Sequence, residues 1–288
     1  WMWVTAILGM PIMFGEAVLA QIFRVKNEDG TTFRGGPAYY MRRGLNAKVL
    51  PILFSISVIL GNGVVYCMVQ SNSIAGSFSG QAELPPLAIG VILVALVGLV
   101  IFGGIKRLST VASYIVPFMA FAYIILALIV LVTHAEWIAD MFRLIIDSAF
   151  GVQQAAGGVL GYSVQEAFRY GVARGLFSND AGAGTTPSMH AAANVKHPVN
   201  QGLSGMLGVF VTTIIVCSCT AFCILLSGAL NGSLTGIQLT QAAFSSSFGD
   251  LGYWLVAAAM FLFGYTTLLA NMYYGEVNTR YLFPDKKH

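Results

Sequence analysis

The sequence predicts an all-α integral membrane protein, a single helical bundle with seven transmembrane helices across residues 1–288, on three observations. First, 57% of the residues are hydrophobic and only 9% are charged, against roughly 25% charged in a soluble domain. Second, the apolar residues gather in runs of about 20, the length of helix that spans the hydrocarbon of a bilayer. Third, the basic residues fall on alternate loops, as they do in proteins inserted with a fixed orientation.

The runs lie near 1–23, 49–79, 87–104, 111–133, 150–171, 200–228 and 250–275. The first opens at Trp1 with no initiator methionine and no charged segment before it, so it is no signal peptide. The chain is expected to be a fragment. Two of the runs are longer than a bilayer requires, which allows tilt or helical extensions beyond it. Leu84-Pro85-Pro86 breaks the chain before the third run, and Lys106-Arg107 occupies a short turn after it, following Gly103-Gly104. The fifth run carries Gln153, Gln154, Ser163, Gln165, Glu166 and Arg169, and hydropathy alone does not decide whether it crosses. The loops do. With residue 1 outside, seven crossings put segments near 24–48, 104–110, 169–199 and 276–288 inside, and these hold 14 of the 15 Lys and Arg residues. Only Arg143 is left outside. Omitting the fifth crossing would move the last two basic clusters to the wrong face. The expected location is therefore a plasma membrane, with the residue 288 side cytoplasmic. Within the 24–48 loop, Ala38 to Gly44 reads as a short interfacial helix presenting Arg42 and Arg43.

Composition also excludes several functions. The formal net charge is +3 with no basic block, which argues against nucleic acid as a partner. No H-E-x-x-H pair, P-loop or nucleophile elbow is present, so no enzyme class and no cofactor is indicated. Cys67, Cys217, Cys219 and Cys223 all lie in apolar runs and are expected to be free thiols; the last three read as small packing residues rather than a metal site.

Polar groups at membrane depth are costly unless they face the bundle interior or a water-filled cavity, so they are the functional candidates. Gly157, Gly158 and Gly161 weaken the fifth helix. A break there would free backbone groups to hold a carboxylate, an amine or an ion; close helix packing is the alternative. Phe263, Thr266 and Thr267 share one helix face, so a carbonyl and two hydroxyls could give three oxygens to a hard cation such as sodium. Threonine bonding back to its own helix is the plain alternative. Gln70 can both donate and accept, which suits a zwitterion, though it could equally tie two helices together. Glu16, the only acid of the first run, could snorkel, bond neighbouring backbone or take part in coupling, with a structural role slightly favoured.

Residues 165–193 read QEAFRYGVARGLFSNDAGAGTTPSMHAAA. This segment resembles the signature of the alanine or glycine:cation symporter family, close to RYGVARGxFSNEAGxGSAPxxHAAA. The resemblance continues through WMWVTAILGM at the start, GGPAYYMRRGL at 35–45, MVQSNSIA at 68–75, GGIKRL at 103–108 and YYGE at 273–276. It implies a LeuT-like fold of inverted repeats, of which this chain would hold the second to eighth of about eleven helices. It implies that Gln70, Gly157, Gly158, Gly161 and Asn271 contact substrate and that Phe263, Thr266 and Thr267 bind sodium. The implied function is secondary active symport of a small neutral amino acid, alanine or glycine, with sodium by alternating access; a proton is the alternative coupling ion. Four positions depart from the family pattern. Asn271 stands where tryptophan is frequent, Met13 replaces a lysine, Asp180 a glutamate, and Thr185-Thr186 the usual Ser-Ala. The cytoplasmic segment is expected to be structural and gating, with Ser178, Asn179 and Asp180 as turn and cap residues. The rival reading is a seven-helix receptor or a channel without coupled transport. A retinal receptor would need a lysine in its last helix, and 250–275 has none.

Overall fold

A computed structural model describes residues 1–27, 30–78, 85–150, 160–231 and 234–284. Helix α1 (Met2–Ile22) contains Pro11, whose missing N–H costs little where neighbouring helices re-satisfy the freed backbone. Next come two short antiparallel strands, β1 (Val25–Lys26) and β2 (Phe33–Arg34), paired Val25 to Arg34 and Lys26 to Phe33. The sequence reading did not foresee them. Asn27 fastens the pair, its Nδ2 donating to Thr32 Oγ1 at 2.8 Å. Helix α2 (Pro37–Gly44) is the expected short helix, with proline at its first turn and Arg42 and Arg43 at its carbonyl end.

Helices α3 (Leu50–Leu60) and α4 (Cys67–Phe78) are joined by a π-helical stretch, Gly61–Tyr66, into one span. Then follow α5 (Pro86–Ile101), α6 (Gly104–Thr133), α7 (Ile138–Phe150), α8 (Leu160–Asn179) and the short α9 (Pro187–Ala192). A second π-helical stretch, Phe210–Val216, joins α10 (Pro198–Val209) to α11 (Cys217–Leu226). The series closes with α12 (Gly236–Phe248) and the long α13 (Asp250–Leu282).

Among the described residues, five helical stretches are long and apolar enough to cross a membrane: Met2–Ile22, Leu50–Phe78, Arg107–Thr133, Pro198–Leu226 and Asp250–Leu282. Pro86–Ile101 is apolar but shorter. Their outer faces carry large apolar side chains, such as Val94 and Val132, each 74% exposed. The architecture is that of an all-α membrane protein.

The fifth predicted run differs most from the sequence reading. Residues 151–159, with Gly157 and Gly158, lie outside the described residues. From Leu160 the chain is helical to Asn179, well beyond the expected end at 171. Hydropathy registers affinity for lipid, whereas Arg169 and Arg174 are good helix formers and do not stop a helix.

The chain divides into two compact units, Trp1–Asn46 with Leu131–Phe222, and Ala47–Val130 with Cys223–His288. In the first, α1 packs against α8, α9 and α10 through glycines. A Cβ on Gly202 would lie 2.7 Å from Phe14, and one on Gly205 would lie 2.9 Å from Met13. Gly36, at φ +122, sits against Ser188, so both its backbone and its space require glycine. In the second unit, α13 packs along α4, α3 and α12. Gly264 of α13 meets Ile74 of α4, where an added Cβ would lie 2.6 Å from the isoleucine. Tyr265 Oη donates to the Leu96 carbonyl at 3.0 Å, tying α13 to α5.

Candidate functional site

Phe263, Thr266 and Thr267 sit on one face of α13, half-buried. Thr266 Oγ1 donates to the carbonyl oxygens of Leu262 at 3.2 Å and Phe263 at 3.0 Å. Thr267 Oγ1 donates to the same Phe263 carbonyl at 2.8 Å. The threonines do bond back to their own helix, and in doing so they bring two hydroxyl oxygens to one carbonyl oxygen. Each hydroxyl oxygen keeps lone pairs for a cation, whereas the Phe263 carbonyl accepts both hydroxyl protons and opens to a cation only when they turn away.

One turn further along α13, on the same face as Thr267, lies Asn271, 4% exposed. Its Oδ1 accepts from Asn62 Nδ2 at 3.1 Å, while its own Nδ2 is buried without a hydrogen-bond partner. Asn62 belongs to the π-helical stretch of the α3–α4 span, an irregularity that recurs at functional sites. The pairs Asn62–Asn271 and Ile74–Gly264 set the two helices antiparallel. By that register Gln70, half-buried on α4, lies about level with Thr266 and Thr267. Its carboxamide makes no hydrogen bond among the described residues. The second unit thus gathers Gln70, Phe263, Thr266, Thr267 and Asn271 on two adjoining helices. Asn62 was missed as a partner for Asn271 in the sequence, because nothing local joins residues 209 positions apart.

Gly161 lies in the first turn of α8, in the other unit. Gln153 and Gln154 fall outside the described residues, as do Gly157 and Gly158.

In the first unit the family-like segment is folded by bonds from side chains to backbone. Ser178 and Asn179 end α8 rather than stand in a loop. Asn179 Oδ1 accepts from the Ala181 amide at 3.0 Å, and its Nδ2 donates to the Thr5 carbonyl at 3.3 Å. Asp180 adopts φ +53, and its carboxylate accepts from the hydroxyls of Thr185 and, at 2.7 Å, Thr186. The two threonines that depart from the family's Ser-Ala thus serve the aspartate. Glu16 accepts from the Gly182 amide at 3.1 Å. Ser178 Oγ lies 3.0 Å from Thr213 Oγ1 and 3.1 Å from Cys217 Sγ; none of the four cysteines forms a disulfide.

The end of α9 is held from α1. Gln21 Nε2 donates to the carbonyls of His190 and, at 3.0 Å, Ala193. Arg24 Nη1 donates to Ala193 O at 2.6 Å while its guanidinium stacks 3.9 Å over the Phe33 ring. These donors satisfy carbonyls that a helix end leaves bare. Burial pushes His190 down to about 4, and its Nδ1 accepts from Gln201 Nε2 at 2.6 Å. The imidazole is therefore neutral in the fold. Because its folded value lies below its ordinary one near 6.5, the unfolded chain binds the extra proton first. The stability it contributes is whole above about 6.5 and is lost as the pH falls toward 4, by up to about 3 kcal/mol. Melting in detergent at pH 7.5 and 5 is expected to show this fall, and His190→Gln to flatten it.

Relatives give the arrangement its context. The sodium:alanine symporter family matches residues 1–288. The chain is 43% identical over 288 residues to the probable sodium/glutamine symporter GlnT of Bacillus subtilis, covering 100% of this chain and 59% of that protein. It is 41% identical over 286 residues to the amino-acid carrier protein AlsT of the same organism (99% and 60%). It is 36% identical over 294 residues to the sodium/alanine symporter AgcS of Methanococcus maripaludis (99% and 64%). The chain spans about three fifths of the length of these relatives. Since the family match runs from the first residue to the last, the chain belongs to the sodium:alanine symporter family.

Proposed function

We propose that this chain takes part in secondary active symport, carrying a small neutral amino acid into a prokaryotic cell together with sodium. The observation that carries this reading is the convergence of Thr266 Oγ1 and Thr267 Oγ1 on the Phe263 carbonyl, within 3.0 Å. Sodium is a hard cation that prefers oxygen ligands, and three uncharged oxygens hold it weakly enough to release it. Gln70 and Asn271 on the adjoining faces offer carboxamides to the amino acid. Gly157, Gly158 and Gly161 would supply backbone groups from an interrupted helix, in a LeuT-like arrangement of which this chain holds seven helices. Transport then follows alternating access. Sodium and substrate bind together, the occupied form reorients, and both leave on the cytoplasmic side, where the basic loops lie.

Alanine and glycine are the expected substrates. The unpartnered Nδ2 of Asn271 also favours a substrate with a side-chain acceptor, and glutamine is the comparison to make. The test is uptake by the full-length protein in proteoliposomes, with and without an inward sodium gradient, using labelled alanine, glycine, serine and glutamine. Accumulation above the outside concentration, dependent on sodium, is the expected result. Equilibration without accumulation would mean a channel and would overturn symport.

A further inference from the structure

We infer, resting on the symport reading, that Asn62 is a positioning residue that sets which side chain the transport site selects. It turns Asn271 so that the site takes a side-chain carbonyl, as in the carboxamide of glutamine. Asn62, Gln70, Thr267 and Asn271 all belong to one unit. Asn271 is 4% exposed, and a carboxamide buried to that degree normally finds partners for both its ends. Here only one end is served. Asn62 Nδ2 donates to Asn271 Oδ1 at 3.1 Å, and Asn271 Nδ2 is left without a hydrogen-bond partner. With its acceptor taken, Asn271 offers a ligand only a donor. A buried donor left unpaired is unfavourable, and a ligand oxygen that meets it removes the penalty.

The backbone around Asn62 permits this contact. Asn62 sits half-buried in the π-helical stretch Gly61–Tyr66, and its own carbonyl accepts from Cys67 Sγ at 3.2 Å. Gly63 beside it faces Gly275 of α13, where an added Cβ would lie 3.9 Å from the Gly63 Cα. Two glycines at one crossing bring α13 near enough for two short carboxamides to meet. Reach then decides the length of the cargo. Asn271 stands four residues beyond Thr267 on α13, about 6 Å along the axis, and Gln70 is about level with Thr267. An amino acid whose backbone groups are held at that level ends short of Asn271 if its side chain is a methyl or a hydroxymethyl. Glutamine carries its carbonyl oxygen about 5 Å beyond Cα, far enough to accept from the Asn271 amide. Asn62, Gln70, Thr266, Thr267 and Asn271 carry no formal charge, so a carboxylate side chain of the same length would be buried without a counter-ion.

Full-length protein in proteoliposomes is assayed for sodium-dependent uptake of labelled L-glutamine and L-alanine. The wild type is expected to take up both. Methionine, of similar length without the carbonyl, is expected to compete with labelled glutamine about tenfold more weakly than unlabelled glutamine does. Asn62→Leu removes the donor and is expected to lower the glutamine-to-alanine ratio of kcat/KM about tenfold, the effect of one misdirected hydrogen bond. A merely structural role would lower both substrates alike and leave the ratio where it was. In an Asn271→Ala background, Asn62→Leu is expected to change the ratio no further, because it acts only through Asn271. Asn62→Ser, too short to reach Oδ1 but polar at a half-buried position, remains decisive if Asn62→Leu fails to fold. An unmoved ratio in these variants, a further fall in the Asn271→Ala background, or methionine competing as well as glutamine overturns the inference. A wild type that accumulates neither amino acid overturns symport instead, and equilibrium binding of glutamine and alanine to wild type and Asn62→Leu in detergent then decides the role of Asn62.

Discussion

A Gly175→Leu substitution is expected to remove folded protein from the membrane fraction, and with it all transport. Gly171 and Gly175 face α1 one turn apart, and an added Cβ at Gly171 would lie 2.6 Å from that of Trp1. At Gly175 the clash is worse. A Cβ would fall 1.8 Å from Thr5 Oγ1, 3.0 Å from Thr5 Cβ and 3.3 Å from the Met2 Cα, so rotating one side chain does not clear the space. The next contact in this series is Gly9 of α1 against Asn179 of α8. The two helices therefore run side by side over two turns, with small residues admitting the backbones. Alanine at 175 is expected to cost about 1–3 kcal/mol as overpacking; leucine exceeds what a protein of ordinary stability tolerates. Fluorescence-detected size-exclusion chromatography with a melting curve measures both. Thr5→Ala should partly rescue Gly175→Ala, because it removes the nearest atom. Gly208 is the control, since a Cβ there meets nothing within 4 Å. Gly208→Ala should be neutral or stabilising. Equal damage at both positions would refute the close-approach account.

The second large effect is expected at Thr267. Thr267→Val keeps the shape of the side chain and removes one oxygen from the group around the Phe263 carbonyl. The sodium concentration for half-maximal uptake should rise about 10- to 100-fold, corresponding to about 1.4–3 kcal/mol for a lost ligand to a charged group. The melting temperature should barely move, because Thr266 continues to satisfy the same carbonyl. Thr267→Ser should restore sodium affinity by restoring the oxygen. In the ion-free protein these hydroxyl protons point at the carbonyl, so binding a cation requires them to turn away. The helix then holds its own polar groups satisfied when empty and offers the same atoms when occupied. If Thr267→Val leaves sodium activation unchanged, the three oxygens are only helical back-bonding.

What could be read from the linear chain depended on free energies that accrue residue by residue. Transfer of apolar side chains to lipid marks the helices and so leaves a local record. The threonine pair and Phe263 were also legible, because three residues on one turn must share a face whatever the rest of the chain does. The signature at 165–193 identified the family, yet its fold was misjudged. A loop was expected where α8 continues to Asn179, since hydropathy does not measure helix propensity.

The pairings between helices have no such local record. Asn62 meets Asn271 across 209 positions, Gln241 meets Ser77 across 164, and Trp3 donates to Ser218 across 215. Gly171 and Gly175 stand one turn apart on one helix face, but nothing local says which helix they admit. Helix contacts depend on shape and on hydrogen bonds formed only after two spans are already placed. Sequence periodicity assigns each residue a face; the assembled backbone alone chooses which face it meets.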